Sequence, residues 1–191
     1  MSGDVRRGPV EFPVPGSRAV LTGRTVDATG GGMSTVTVNG LLAARAADVW
    51  RLLADLPARP GRFTGTSAVE VLTPGPFAPG TAWRETRSRP DGTALVEEFV
   101  VLVAEPSRRL VLASPGVGAD YRIDWTLREV RRREGRRTAV RLTQEAVPTA
   151  PFGRAVALLL GGLAARAVEG ALRRDLADLA AVLGAPTREA A

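Results

Sequence analysis

The sequence predicts an α+β protein in which an antiparallel sheet of about seven strands precedes one long C-terminal helix. From residue 35 to residue 147, short apolar segments with period-two alternation recur between turn-forming residues, a pattern typical of strands. From about Pro151 to Gly184, apolar residues recur every three or four positions, which indicates a helix packed on one side. Strands grouped before a helix are typical of the α+β class.

The first elements have clear boundaries. TVTVNG places Val36 and Val38 on one face of a strand. AADVWRLLADL, residues 46–56, has apolar residues at helical spacing, and Pro57 ends that helix. A bend at Pro60 precedes another short segment. We therefore expect one or two short helices after the first strand.

Six further strands are predicted, and the turn signal PDG at residues 90–92 is the clearest boundary between them. Their segments read SAVEVLTPG, TAWRETRSR, ALVEEFVVLVAEP, RRLVLASPG, ADYRIDWTLREV and TAVRLTQEAV. Because the connections are short, we expect an antiparallel meander.

The predicted C-terminal helix has one apolar stripe and one weak turn. The stripe consists of Leu158, Gly161, Ala165, Val168, Leu172, Leu176, Leu179 and Leu183. Gly161 and Gly162 each cost about 1 kcal/mol relative to alanine inside a helix. Their small size leaves space facing the sheet. Two interpretations stay open: a ligand fills this space, or large side chains do, such as Trp83, Phe99 or Trp125.

Composition excludes several kinds of chemistry. The 191-residue chain contains no Cys, no His and no Lys, so all 26 basic side chains are arginine. This excludes zinc-finger sites, thiol nucleophiles, Ser-His-Asp triads and Schiff bases. Acid and base chemistry is left to carboxylates and Tyr121. We expect no metal and no cofactor.

The sequence predicts one domain with a tail at each end. Residues 1–32 are rich in Pro and Gly and predict a flexible or loosely docked extension. Residues 33–184 are predicted to form the folded domain, and 185–191 a disordered tail. Met33 follows a glycine run directly and is a candidate for the natural start. The first 30 residues hold no apolar run of signal-peptide length, which favours a cytoplasmic protein.

These segments, in this order, resemble the SRPBCC or START-like superfamily, particularly its bacterial branch of polyketide cyclases/dehydrases and lipid-transport proteins. The resemblance covers residues 35–183 and rests on AADVWRLLADL, GTAWRET, AEPSRRLVL, DYRIDWTLREV, AVRLTQEA and ALRRDLADLAAVLG. It implies a helix-grip fold, in which a curved sheet wraps around the long helix and encloses a pocket for an apolar molecule. Members often carry a Trp-Pro pair after the first helix, whereas this chain has ARPGRF. The resemblance supplies no catalytic motif.

Candidate site residues follow from strand alternation. One face of the sheet should carry Tyr121, Ile123, Trp125, Leu127, Val140, Leu142, Gln144, Leu95, Glu97, Phe99, Val101 and Val103. Polar groups on this apolar face need partners. Glu97, Tyr121 and Gln144 are therefore candidates to bind the polar end of a ligand, with Glu85 and Arg87 on the neighbouring strand. The alternative for each is a strand end near solvent or a buried Glu–Arg pair.

The ligand-binding prediction comprises Trp83, Arg87, Phe99, Tyr121, Ile123, Trp125, Gln144, Leu158, Gly161, Gly162 and Ala165. The candidate acids and bases are Glu97, Glu85 and Tyr121.

The densest charge lies in REVRRREGRR, residues 128–137. No aromatic residue interrupts this run, so a nucleic-acid groove is not predicted. The pattern favours a solvated hairpin tip. A second interpretation is transient contact with an anionic membrane surface. The arginines concerned are Arg131, Arg132, Arg133, Arg136 and Arg137.

Three functions are compatible with these observations. The first is a soluble binding or carrier protein for a lipid, a polyketide or an aromatic metabolite. The second is a cofactor-free polyketide aromatase/cyclase that uses carboxylate and tyrosine chemistry. The third is a protein-interaction module of the same fold. The ligand and the oligomeric state are left open.

Overall fold

The computed structural model describes residues 34–88, 92–116, 119–133, 135–149 and 153–184, with the side chains of the last range described from Ala165 onward. The helices are α1 (Ala46–Ala54), a 3-10 helix (Leu56–Gly61) and α2 (Gly153–Gly184). The strands are β1 (Ser34–Leu42), β2 (Thr66–Val71), β3 (Ala82–Ser88), β4 (Ala94–Glu105), β5 (Arg109–Pro115), β6 (Ala119–Arg132) and β7 (Gly135–Pro148).

The strands form one seven-stranded antiparallel sheet in the order β1-β7-β6-β5-β4-β3-β2. From β2 to β7 each strand pairs with the next along the chain, and β1 completes the sheet beside β7. The predicted meander, the long terminal helix and the short helices after β1 are therefore confirmed.

The sheet curves around α2, because two consecutive residues of that helix contact strands far apart in the sheet. Leu176 packs against Gly40 on β1, where an added Cβ would lie 3.3 Å from the leucine Cδ1 atom. The neighbouring Asp175 bonds Arg87 on β3. In a flat sheet, β1 and β3 would lie about 24 Å apart, at about 4.8 Å per strand. Only a sheet curled around the helix brings both strands to one helical turn.

The apolar stripe of α2 is confirmed in its described half. Leu172, Leu176 and Leu179 are buried, and Val168 and Leu183 pack against the same core. Ala165 is half-buried. Within the described residues, no helix has the length and apolar character needed to cross a membrane.

Several predictions lie outside the described residues. They concern the side chain of Leu158, the space beside Gly161 and Gly162, the helix start at Pro151, the extension at 1–32 with Met33, and the tail at 185–191. These stay predictions.

The predicted inner face is confirmed for most strand positions and is wrong at Val103. Trp125, Leu127, Val140 and Leu142 are buried in the core, as alternation indicates. On β4, an irregularity in pairing between Val101 and Val103 inserts an extra residue. Val103 therefore shares the opposite face of the sheet with the buried Val111, and Ala104 packs on the core instead.

The arginine-rich segment is mostly strand rather than loop. β6 continues to Arg132 and β7 begins at Gly135, so the β6–β7 turn is short. Arg131, Arg132, Arg133 and Arg136 are exposed, and Arg137 is half-buried. The exposure agrees with the interpretation as a solvated hairpin end.

Candidate functional site

The concave face of the sheet divides into a closed part and an open part. In the closed part, inner-face side chains of β3 to β7 are fully buried against α1 and α2. In the open part, side chains of the same face are only half-buried; we call these residues the half-buried patch: Val36, Arg87, Leu95, Glu97, Tyr121, Ile123 and Gln144. Cross-strand register places Val36, Gln144 and Ile123 side by side. These side chains retain access to solvent on a face that is otherwise packed.

The tryptophans and phenylalanine of the predicted site belong to the closed part. Trp83, Phe99 and Trp125 are all buried in the core. Trp83 stacks on Phe99 with ring centroids 5.3 Å apart, and Phe77 contacts Trp83 at 6.4 Å. Their burial shows that these three side chains pack in the core. Ligand contact by these three rings stays a prediction.

Glu85 lies at the centre of a buried charge network. Its side chain is 0% exposed, and both carboxylate oxygens have partners. One oxygen accepts hydrogen bonds from Arg59 Nε at 2.9 Å and from Trp83 Nε1 at 3.4 Å. The other accepts a hydrogen bond from Thr66 Oγ1 at 2.5 Å and lies 3.5 Å from Arg87 Nε. Glu85 is therefore the buried Glu–Arg pair that the sequence left as an alternative.

The network continues from Glu85 to α2. Arg87 donates a hydrogen bond of 2.6 Å to the buried Asp175. The guanidinium of Arg59 lies 4.5 Å from the centroid of the Phe63 ring. The two arginines balance the charges of Glu85 and Asp175, the condition under which buried charges are tolerated. We call these four residues, Arg59, Glu85, Arg87 and Asp175, the clamp.

The clamp shifts the pKa values of its two carboxylates in opposite directions. Burial acts to raise the pKa of Glu85, but Arg59, the hydrogen bond from Thr66 and Arg87 together outweigh burial and lower it. Burial dominates at Asp175 and raises its pKa, against the charge of Arg87. A carboxylate with a lowered pKa and no exposure is poorly suited to proton transfer. Catalysis by Glu85 stays a prediction.

Glu97 and Tyr121 are titratable groups of the half-buried patch. Glu97 lies directly opposite Glu85 in the β3–β4 register, and its charge acts on Arg87. Tyr121 packs against the backbone of Gly116, where a Cβ would clash with the ring. A residue with a side chain at position 116 would displace the tyrosine. The predicted polar residues Glu97, Tyr121 and Gln144 therefore share one accessible face.

Sequence reasoning missed Arg59 and Asp175. Asp175 lies three positions after Leu172 and therefore on the apolar stripe of the helix. A charged residue at such a position needs a buried partner, and this could have identified Asp175. Arg59 lies between Pro57 and Pro60 in the 3-10 helix. No periodicity there indicates which way its side chain points.

A curved seven-stranded sheet that holds a C-terminal helix defines a protein of the helix-grip class. Residues 33–184 match the family described as polyketide cyclase / dehydrase and lipid transport, and the chain belongs to that family.

Solved structures with this fold include aromatase/cyclases. Zhui aromatase/cyclase from Streptomyces sp. R1128 is 20% identical, with a TM-score of 0.63 over 80% of this chain and 94% of its own. The di-domain aromatase/cyclase BexL from the BE-7585A biosynthetic pathway is 21% identical, with a TM-score of 0.61 over 81% of this chain. This chain covers 51% of BexL. Protein CV1439 from Chromobacterium violaceum is 18% identical, with a TM-score of 0.56 over 80% of this chain and 99% of its own.

At these identities the similarity shows a shared fold. Among curated proteins, no sequence matches this chain.

The clamp predicts a large stability loss for Glu85→Gln. This change leaves the buried Arg59 without its carboxylate partner, which should lower the free energy of unfolding by about 3–5 kcal/mol. The matched control is Glu98→Gln, which removes an exposed carboxylate bonded to Arg84 on the other face. The control substitution should lower the free energy of unfolding by less than about 1 kcal/mol. Urea unfolding at neutral pH measures both, and equal losses would contradict the clamp.

The clamp also predicts that the stability difference between wild type and Glu85→Gln depends on pH. The pKa of Glu85 in the folded protein is below its ordinary value of 4.5, so its ionised form stabilises the fold above that pH. The stability gap between wild type and Glu85→Gln should therefore shrink as pH falls below 4.5 and Glu85 becomes protonated. A gap that stays constant under acidic conditions would contradict this assignment.

Proposed function

We propose that the protein binds a hydrophobic small molecule, such as a lipid, a polyketide or an aromatic metabolite, against the half-buried patch. The observation that supports this most directly is the division of the concave face. Val36 and Ile123 are half-buried, whereas Val38 and Trp125, two positions along the same strands, are buried. Apolar surface left accessible beside a packed core is a typical feature of small-molecule sites.

The composition of the half-buried patch fits a ligand that is apolar with a few oxygen atoms. Val36, Leu95 and Ile123 supply apolar contact. The hydroxyl of Tyr121 and the amide of Gln144 can exchange hydrogen bonds with carbonyl or hydroxyl groups. Membership in a family of polyketide cyclases, dehydrases and lipid-transport proteins supports this ligand class.

Filling the half-buried patch should weaken ligand binding. The wild-type protein should bind the uncharged dye N-phenyl-1-naphthylamine with a saturable fluorescence increase. Gln144→Trp places a large ring on the inner face of β7 and should weaken that binding about tenfold or more, a loss of about 1.4 kcal/mol or greater.

The control for this test is Val147→Trp. Val147 lies on the same strand but on its outer face, and it is 45% exposed. Both variants should keep the wild-type circular dichroism spectrum. No saturable binding by the wild type, or equal weakening in both variants, would count against the proposal.

A second candidate function, an aromatase/cyclase, is favoured by the titratable groups of the half-buried patch. In this candidate, the Glu97 carboxylate accepts a proton from the carbon between two carbonyl groups of a poly-keto chain. The resulting enolate forms a carbon–carbon bond to another carbonyl, and Tyr121 protonates the oxygen of that carbonyl. Loss of water then forms the ring double bond. Arg87 stabilises the enolate charge.

Catalysis predicts a loss of turnover in Glu97→Gln and in Tyr121→Phe. Removing a general acid or base should slow cyclisation by about 10²- to 10⁴-fold. The control Glu98→Gln changes the adjacent carboxylate on the opposite face and should leave the rate unchanged. Mass spectrometry of a synthetic poly-keto thioester detects cyclisation as loss of water. If the wild type binds the thioester but forms no product, the aromatase/cyclase function is excluded and the carrier function is retained.

A further inference from the structure

A groove of about 560 Å³ lies where the start of α1, the β4–β5 turn and the β6–β7 hairpin meet. We call it the basic groove. Its polar lining consists of Arg45, Ser107, Arg108, Arg128, Glu129 and Arg136. None of these residues belongs to the half-buried patch, so the role of the groove is independent of the function proposed above.

The basic groove has a strong excess of positive charge. Four arginines and one glutamate line it. Glu129 is engaged by Arg136 at 3.4 Å. Among the described residues, Arg45, Arg108 and Arg128 form no ion pair with a carboxylate. Like charges held around one concave surface attract a small anion, because the surrounding walls focus their field.

The start of α1 adds directional donors to this charge. Ala46 and Ala47, the first residues of α1, line the basic groove, and no side chain caps the helix at Arg45. The N–H groups of Asp48 and Val49 donate to the carbonyl of Arg45, which leaves those of Ala46 and Ala47 at the helix start, where backbone N–H groups carry partial positive charge. The basic groove therefore combines guanidinium groups with backbone amides, as anion sites commonly do.

Hydrogen bonds hold the walls of the basic groove in place. The buried Thr138 donates its hydroxyl to the carbonyl of Ala44, just before α1, at 2.8 Å. The backbone N–H of Leu127 donates to the carbonyl of Arg108 at 2.8 Å, which fixes the β4–β5 turn against β6. The backbone segments that carry these donors are thus held in place before a ligand arrives, which lowers the entropy cost of binding.

We propose that the basic groove binds a phosphate group. A phosphate monoester presents two negative charges and several acceptor oxygens, and guanidinium groups bond such oxygens in pairs. Arg108 and Arg128 contact the phosphate from opposite segments, and the first turn of α1 donates backbone N–H groups. The phosphate is carried either by a soluble molecule or by a lipid headgroup.

Isothermal titration of the full-length protein with inorganic phosphate, at ionic strength held constant with chloride, tests the site. The wild type should bind phosphate saturably. The double variant Arg108→Gln/Arg128→Gln should weaken binding at least about tenfold, as expected for lost charge-assisted hydrogen bonds. The control is Arg166→Gln/Arg174→Gln, which removes the same charge from exposed positions of α2 outside the groove. It should change affinity by less than about twofold.

Vesicles separate the two sources of phosphate. Sedimentation compares phosphatidylcholine vesicles with and without phosphatidic acid. Binding that needs phosphatidic acid and is lost in the Arg108/Arg128 variant, but not in the Arg166/Arg174 variant, assigns the phosphate to a lipid headgroup. Saturable binding of free phosphate with the same variant pattern assigns it to a soluble molecule. Equal losses in both double variants, or no binding to either probe, would overturn the proposal, whatever the outcome for dye binding.

Discussion

The ion pair between Arg87 and Asp175 is the contact on which the arrangement of the sheet around α2 depends. It joins the helix to β3, while the next residue, Leu176, packs on β1 at the far side of the sheet. Glu85 then connects Arg87 to Arg59 in the 3-10 helix. Buried charges are costly unless they are paired, so the four charged groups of the clamp hold one another in a single geometry.

The clamp also lies at the boundary between the closed part and the open part of the concave face. Charged and apolar contacts hold the C-terminal half of α2, where Leu172, Asp175 and Leu179 are buried. Arg87 belongs to both the clamp and the half-buried patch, so a ligand on this patch would lie beside a charge whose position is already fixed. A carrier and a cyclase can both use this arrangement, because each needs an apolar surface with a few oriented polar groups.

The fold was predictable because alternation and helical spacing are local properties of the sequence, and the core positions Trp125, Val140 and Leu142 followed from them. The clamp was predictable only in part. Alternation placed Glu85 and Arg87 on the inner face, but their partners come from segments distant in sequence. The prediction failed at Val103, because one inserted residue in β4 shifts the side chains that follow it to the opposite face. No residue type in the sequence marks that insertion.

A double-mutant cycle between Arg87 and Asp175 tests the clamp most directly. Unfolding free energies of Arg87→Ala, Asp175→Ala and the double variant give the coupling between the two side chains. The clamp predicts a favourable coupling of about 1–3 kcal/mol, because Arg87→Ala leaves the buried Asp175 carboxylate without its hydrogen-bonded cation, and Asp175→Ala removes the carboxylate that Arg87 bonds at 2.6 Å. Additive losses, within about 0.5 kcal/mol, would show that the two residues act independently and that another contact holds the sheet around the helix.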